Sequence, residues 1–214
     1  MSELRNTTVI LTNWKRPDNL DKVIESILKQ TVPVNIWLWD NSGENRPFNV
    51  DYRVNSSGNM FCWPRWLLAT MVKTRYVLIM DDDLMLARDT VIEDCEDICN
   101  GNSSYIIGVY GVRLNEQKDY FKSAHLRASS HTQGVDIVKG RFMFMDKKLI
   151  NLGDLEPDYY CDDIKISSKA LCVLPSKLAD ATVNLPEGKE ALFEQKGQRE
   201  RRQEAVEKYF NFVI

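Results

Sequence analysis

The sequence predicts an α/β fold, a mixed but mainly parallel sheet flanked by helices, and three observations lead there. From residue 7 to about residue 101, strand-like apolar runs alternate with amphipathic segments, which is the order of βαβ units. Beyond that point two strand-like runs follow each other with no obvious helix between them, so mixed or antiparallel pairing is expected there. No internal repeat or low-complexity linker divides the 214 residues, a length suited to one domain. The expectation is a single domain over 1–214, with a ligand-binding half over about 1–101 and a second half over about 102–214.

The elements follow in order. TTVILTN (Thr7–Asn13) is β-branched and reads as the first strand. In RPDNLDKVIESILKQ, residues Leu20, Val23, Ile24, Ile27 and Leu28 recur at the spacing of one helix face, and Pro17 and Asp18 suit its start. VNIWLWDNSG is a second strand ending in a polar turn at Asp40–Gly43, and DYRVNSS is a shorter candidate. PRWLLATMVKT reads as a helix opened by Pro64, and YVLIM as the next strand. RDTVIEDCEDICNG places Val91, Ile92, Cys95, Ile98 and Cys99 on one face, with Gly101 positioned to end the helix. SYIIGVYGVRL and VDIVKGRFMFM read as strands, YCDDIKISSKAL should start a helix, CVLP is a short strand, and GQRERRQEAVEKYF is a C-terminal helix.

Composition excludes several partners. Apolar residues are 43% and charged residues 28%, ordinary for a globular chain. A net charge of −3 gives no reason to expect nucleic acid. No apolar run approaches the ~20 residues needed to span a bilayer, and the N-terminus lacks the layout of a signal peptide. The five cysteines show no CxxC or other zinc spacing and read as small core residues, so a cytoplasmic location is expected.

Open α/β sheets bind ligands beyond the carboxyl ends of their strands. Three such ends carry conspicuous polar groups here: Thr12, Asn13 and Arg16; Asp40 and Asn41; and Asp81, Asp82 and Asp83. Three adjacent carboxylates repel one another, and burying them is costly without a neighbouring positive charge. A solvated turn would tolerate them and a cation would need them. Oxygen-only ligands suit Mg²⁺ or Mn²⁺, which keep waters and share substrate phosphates.

Together the first strand, the RPD helix start, WDNSG and LIMDDDL resemble the nucleotide-sugar half of GT-A glycosyltransferases, whose hallmark is an Asp-x-Asp motif. YYCDDI (159–164) resembles the Cys-Glu-Asp-Ile segment of the exostosin-like branch, and RERRQEAVEKYF resembles that branch's closing basic helix. Length and motif order are also similar to the N-terminal glycosyltransferase domain of a multidomain chlorella-virus protein, which would imply host cytoplasm and further domains on a longer polypeptide. The similarity covers about residues 7–210 in short motifs.

The resemblance implies a GT-A-like fold and metal-dependent transfer of glucose, or a deoxyhexose such as rhamnose, from a UDP-sugar to a glycan acceptor, with retention favoured. It implies roles by position. Thr12, Asn13 and Arg16 would border the nucleotide, Asp40 would accept from the uracil imide, and Asn59 and Arg65 would continue that wall. Asp81 would approach the ribose or donor sugar, Asp83 would ligate Mn²⁺ or Mg²⁺, and Asp82 would support either neighbour. Asp163 would sit at the reacting carbon or near the acceptor hydroxyl with Asp162 beside it, and Arg202 would neutralise the leaving diphosphate. Two departures stand out: Asp162 replaces the branch's Glu, and Gln198 stands where a histidine precedes the final helix.

Plainer readings stand beside these. Asp162 and Asp163 suit the N-terminus of a helix, Asp40 suits a turn with Asn41 and Gly43, and Arg199, Arg201 and Arg202 suit a solvated helix face. Trp37 and Trp39 suit sheet packing, and Gly140 suits either a bulge or close approach of a sugar. The polar stretch holding His125 and His131 reads as a loop whose histidines match no metal spacing, with an acceptor-side lid as the functional alternative. A sugar-1-phosphate nucleotidyltransferase and a non-catalytic nucleotide-sugar or carbohydrate-binding domain are the alternative functions. The former should carry a glycine-rich loop after the first strand, where LTNWKRPDN has no glycine.

Overall fold

The structure is a computed structural model that describes residues 5–44, 46–151, 160–186 and 196–210. Strand β1 (Thr7–Asn13) lies inside an eight-stranded sheet, with Val9, Ile10 and Leu11 fully buried. An unbroken apolar run suits a strand covered on both faces. Val9 and Leu11 join one apolar cluster and Ile10 the other, as the two-residue period of a strand requires.

Helix α1 (Pro17–Leu28) buries Leu20, Val23, Ile24 and Ile27 against the first cluster. Leu28, expected on that face, is instead exposed at the last position of the helix. Strands β2 (Val34–Asp40) and β3 (Tyr52–Asn55) follow, then α2 (Pro64–Met71) and β4 (Tyr76–Asp81). These strands pair in parallel in the order β3-β2-β1-β4. Strand β5 (Leu84–Leu86) comes next, and α3 (Val91–Gly101) buries Val91, Ile92, Cys95 and Cys99 on the face its spacing predicted.

The second half is more broken than its sequence suggested. SYIIGVYGVRL divides into β6 (Tyr105–Gly108) and β7 (Tyr110–Arg113), which belong to different sheets. VDIVKGRFMFM divides likewise into β10 (Ile137–Val138) and β11 (Phe142–Asp146). Gly108 marks the break: a Cβ there would lie 2.3 Å from a Val138 methyl and 2.8 Å from the Phe142 carbonyl oxygen. Only glycine lets the chain leave one sheet for the other at that crossing.

The stretch holding His125 and His131 contributes β8 (Ala124–Arg127) and β9 (Gln133–Val135), largely exposed edge strands without an apolar signature. Helix α4 (Asp162–Ser167), β12 (Leu171–Leu174), β13 (Thr182–Asn184) and α5 (Gln198–Phe210) complete the described chain. The large sheet continues past β4 as β11-β6-β12-β9, with β11 antiparallel to both neighbours. It is therefore mixed and mainly parallel, as expected. Strands β10-β7-β8 form a small second sheet, and β13 pairs with β5.

All five cysteines are free thiols, and four of them are buried. Trp37 packs on Tyr52 with ring centroids 4.8 Å apart, as sheet packing predicted. No helix among the described residues is long and apolar enough to cross a membrane.

Candidate active site

Strands β1 and β4 are parallel neighbours, so their carboxyl ends arrive at one edge. Thr12 is in register with Asp81, and Asn13 with Asp40. A cavity of about 470 Å³ opens at that edge. Five aspartates line it (Asp81, Asp82, Asp83, Asp162 and Asp163), with four arginines (Arg16, Arg65, Arg141 and Arg202) and Lys139.

Two of the three acidic residues are buried rather than solvated, Asp82 and Asp83 being only 5% and 7% exposed, while Asp81 is half-buried. Asp81 Oδ1 accepts from Arg65 Nη1 at 2.9 Å. Asp82 accepts from Arg16 Nη1 at 2.8 Å and from the Trp14 amide at 3.0 Å. Asp83 is held from both sides, by Arg16 Nη1 at 2.8 Å and Arg141 Nη2 at 3.0 Å. Lys15, with φ at +58°, turns the chain between β1 and α1 so that Arg16 faces the triplet.

Arginines do not fully offset the burial. Desolvation pushes Asp81 up to about 6 against the pull of Arg65, and Asp82 up to about 7 against that of Arg16, with neighbouring carboxylates adding to both shifts.

The second acidic pair opens α4, yet its main partners lie outside that helix. Asp162 Oδ2 accepts from Arg65 Nε and Nη2, both at 2.7 Å, and from the Trp66 indole N–H. Asp163 Oδ2 accepts from Arg202 Nη2 at 2.9 Å and from the Gly140 amide at 3.3 Å, while its Oδ1 accepts from the Ile164 amide at 3.0 Å. Burial alone would raise the Asp163 pKa; the charge and hydrogen bond of Arg202 outweigh it and hold the carboxyl below its ordinary range. Lys139 is shifted down by burial and by Arg202.

Arg65 is 2% exposed and ties the two acidic groups together, also donating to the Gly140 carbonyl at 3.1 Å. A Cβ on Gly140 would stand 2.4 Å from Arg65 Nη2, so the close approach this glycine permits is that of a guanidinium.

Ten of the twelve site residues named from sequence line the cavity: Thr12, Arg16, Asn59, Arg65, Asp81, Asp82, Asp83, Asp162, Asp163 and Arg202. Asn13 and Asp40 do not. Both are fully buried beneath it, with their polar atoms engaged. Asp40 Oδ1 accepts from Asn13 Nδ2 and from the amide and hydroxyl of Ser42, and its Oδ2 accepts from Arg53. Asp40 therefore shapes the loop after β2, the turn-forming role, and leaves no carboxylate oxygen facing a base.

The aromatic lining was missed. Trp14, Phe61, Tyr120, Phe121 and Tyr160 all border the cavity, and Phe61 and Tyr160 pack with centroids 4.7 Å apart. Phe61 has φ at +55°, a strained backbone held by the Asn59 side chain on its amide and Asn41 on its carbonyl. His125 borders the cavity as well, from β8.

Asp81 and Asp83 could each offer a cation one carboxylate. Among the described residues no cluster of three or more His, Cys, Asp or Glu side chains is arranged to hold a metal ion. A donor set of two carboxylates fits an ion that completes its shell from diphosphate and water, and does not fit a closed protein cage.

The sequence profile of the glycosyl transferase family 64 domain matches residues 6–154. The chain belongs to this family. That family is one of glycosyltransferases, which counts against the nucleotidyltransferase alternative. No curated protein sequence matches the chain.

Among solved structures, the chain is similar to the mannosyltransferase PcManGT from Pyrobaculum calidifontis, determined in complex with GDP-Man and Mn²⁺. The TM-score is 0.57 at 14% identity, over 80% of this chain and 55% of that one. It is also similar to TarS from S. aureus, with a TM-score of 0.60 at 10% identity over 96% of this chain and 43% of that one. The family 64 chain thus has a GT-A-type fold and spans about half the length of these neighbours.

Proposed function

We propose that the chain is a metal-dependent glycosyltransferase that moves a hexose, glucose or a deoxyhexose such as rhamnose, from a UDP-sugar to a glycan acceptor with retention of configuration. One observation carries this reading: an Asp-x-Asp at the sheet's ligand edge, half-buried at Asp81 and buried at Asp83, shares a cavity with four arginines and a further carboxylate, Asp163, held below its ordinary pKa. The nucleotide-sugar and Mn²⁺ of the mannosyltransferase complex support the cofactor and donor class.

Asp83, with Asp81, would hold the cation, which supplies Lewis-acid stabilisation of the departing diphosphate. The elevated Asp81 pKa accords with a site that needs more positive charge than its arginines provide. Thr12 and Asn59 border the nucleotide, with Phe61 and Tyr160 as the nearby apolar wall. Arg16, Arg65, Arg141 and Arg202 aim positive charge at the region where negative charge develops. Asp163 is the catalytic carboxylate. A carboxylate of lowered pKa is a poor base, which disfavours deprotonation of the acceptor and favours stabilising a positively charged ring, the demand of a retaining path. Asp162 acts through Arg65.

The test is UDP release from a panel of UDP-sugars with and without Mn²⁺, followed by nuclear magnetic resonance assignment of the product's anomeric configuration. Metal-dependent UDP release and a retained anomer are expected. Release indifferent to metal would refute the cofactor assignment, and an inverted product would refute the role of Asp163.

A further inference from the structure

Ion pairing within the cavity wall is uneven. Arg16, Arg65, Arg141 and Arg202 each hold a cavity aspartate at 3.0 Å or less. Lys139 lines the same cavity and is half-buried, and among the described residues its ammonium has neither an ion pair nor a hydrogen bond. Burial and Arg202 push its pKa down against the pull of Asp163, with Arg141 adding to the fall. His125 in turn is shifted down by burial and by the charge of Lys139. Arg202, Asp163, Arg141 and His125 all border the cavity, so the ammonium stands among groups that face it. A half-buried cation beside two others is costly until an anion arrives.

Position within the cavity limits which anion that is. The segment 139–141 runs between the two acidic groups. Its Arg141 carbonyl accepts from the Asp81 amide at 3.1 Å and its Arg141 side chain donates to Asp83, while its Gly140 amide donates to Asp163 at 3.3 Å. In the reading above, Asp83 holds the cation that binds the diphosphate and Asp163 faces the reacting carbon. The β-phosphate belongs between those two points, because the cation binds it on one side and the sugar is bonded to it on the other.

Resting on that reading, we infer that the Lys139 ammonium contacts the β-phosphate of the donor and is a catalytic residue that stabilises the departing diphosphate. The four arginines already share their charge with carboxylates, whereas the charge of Lys139 is uncommitted among the described residues. In the transfer, the acceptor oxygen bonds to the reacting carbon as that carbon's bond to the β-phosphate oxygen breaks. The electron pair stays on the phosphate oxygen, and the acceptor's proton passes to the released diphosphate and on to solvent. Lys139 keeps its own proton and donates a charge-assisted hydrogen bond.

The experiment is calorimetric binding of UMP and UDP, in Mn²⁺, to the wild-type chain, to Lys139→Met and to Lys139→Arg. Lys139→Met should bind UDP about tenfold or more weakly than the wild type and bind UMP equally well, since only UDP carries the β-phosphate. Lys139→Arg restores the charge and should recover part of the lost affinity.

Unchanged UDP affinity in Lys139→Met would overturn the assignment and leave the donor reading intact. An equal loss for UMP would overturn it too, by moving the ammonium away from the β-phosphate. The wild type alone supplies a check that needs no variant to fold: in excess chelator it should still bind UDP about tenfold more tightly than UMP, because protein cations then hold the β-phosphate. Equal affinities there would overturn the assignment. Failure of the wild type to bind either nucleotide, with or without Mn²⁺, would overturn the donor reading and this inference together.

Discussion

Removing the Asp162 carboxylate should cost far more stability than any surface ion pair of this chain. In Asp162→Ala the buried Arg65 loses the acceptor of its Nε and Nη2 contacts, and the Trp66 indole loses its partner. Breaking a buried pair by removing one member costs about 3–5 kcal/mol. Arg65 keeps Asp81 and the Gly140 carbonyl, so the lower end, about 3 kcal/mol, applies. At roughly 2–4 °C per kcal/mol for a chain of this size, the melting temperature should fall by roughly 6–12 °C. The assay is thermal unfolding beside Asp18→Ala, which breaks an exposed pair with Arg46 and should leave melting unchanged. A shift for Asp162→Ala no larger than that of Asp18→Ala would refute the view that Asp162 anchors Arg65.

Three further outcomes are expected. Gly140→Ala places a methyl 2.4 Å from Arg65 Nη2 and should destabilise by about 1–3 kcal/mol, read by thermal melting; an unperturbed melt would mean the guanidinium is free to shift. Asp163 is held below its ordinary pKa, so its contribution to stability is complete above the unfolded value of about 4 and is lost as pH falls through the folded value. A wild-type melting curve taken from pH 6 downward should therefore fall more steeply below about pH 4 than that of Asp163→Asn, and parallel curves would contradict the pairing with Arg202. Asp163→Ala should leave UDP affinity within about twofold while lowering turnover by about a hundredfold or more, since it faces the reaction and not the nucleotide. Loss of UDP binding in that variant would contradict the division of roles.

The first half of the fold was legible because its signals are local. TTVILTN and YVLIM are continuous apolar runs of the kind a doubly covered strand needs, and the apolar positions of α1 and α3 recur at helical spacing. The second half depends on contacts distant in sequence. Nothing near Gly108 announces that Val138 will lie against it, so two apparently continuous strands were not seen to divide.

The same distinction governs the site. Charged residues at strand ends could be named, since three adjacent carboxylates demand compensation wherever they fold. Their partners could not: Arg141 on Asp83 and Arg65 on Asp162 span 58 and 97 residues. Phe61, Tyr120 and Tyr160 were passed over because an aromatic residue in a loop carries the same signal whether it packs in a core or borders a ligand. Asp40 shows the opposite error, a conspicuous polar residue at a strand end whose oxygens serve Asn13, Ser42 and Arg53.

Calorimetry of UDP binding tests most directly whether the Asp81–Asp83 triplet anchors a divalent cation against a diphosphate. The account predicts affinity at least about tenfold higher in Mn²⁺ than in excess chelator for the wild type, with that difference abolished in Asp83→Ala. Equal UDP affinity with and without Mn²⁺ in the wild type would contradict it.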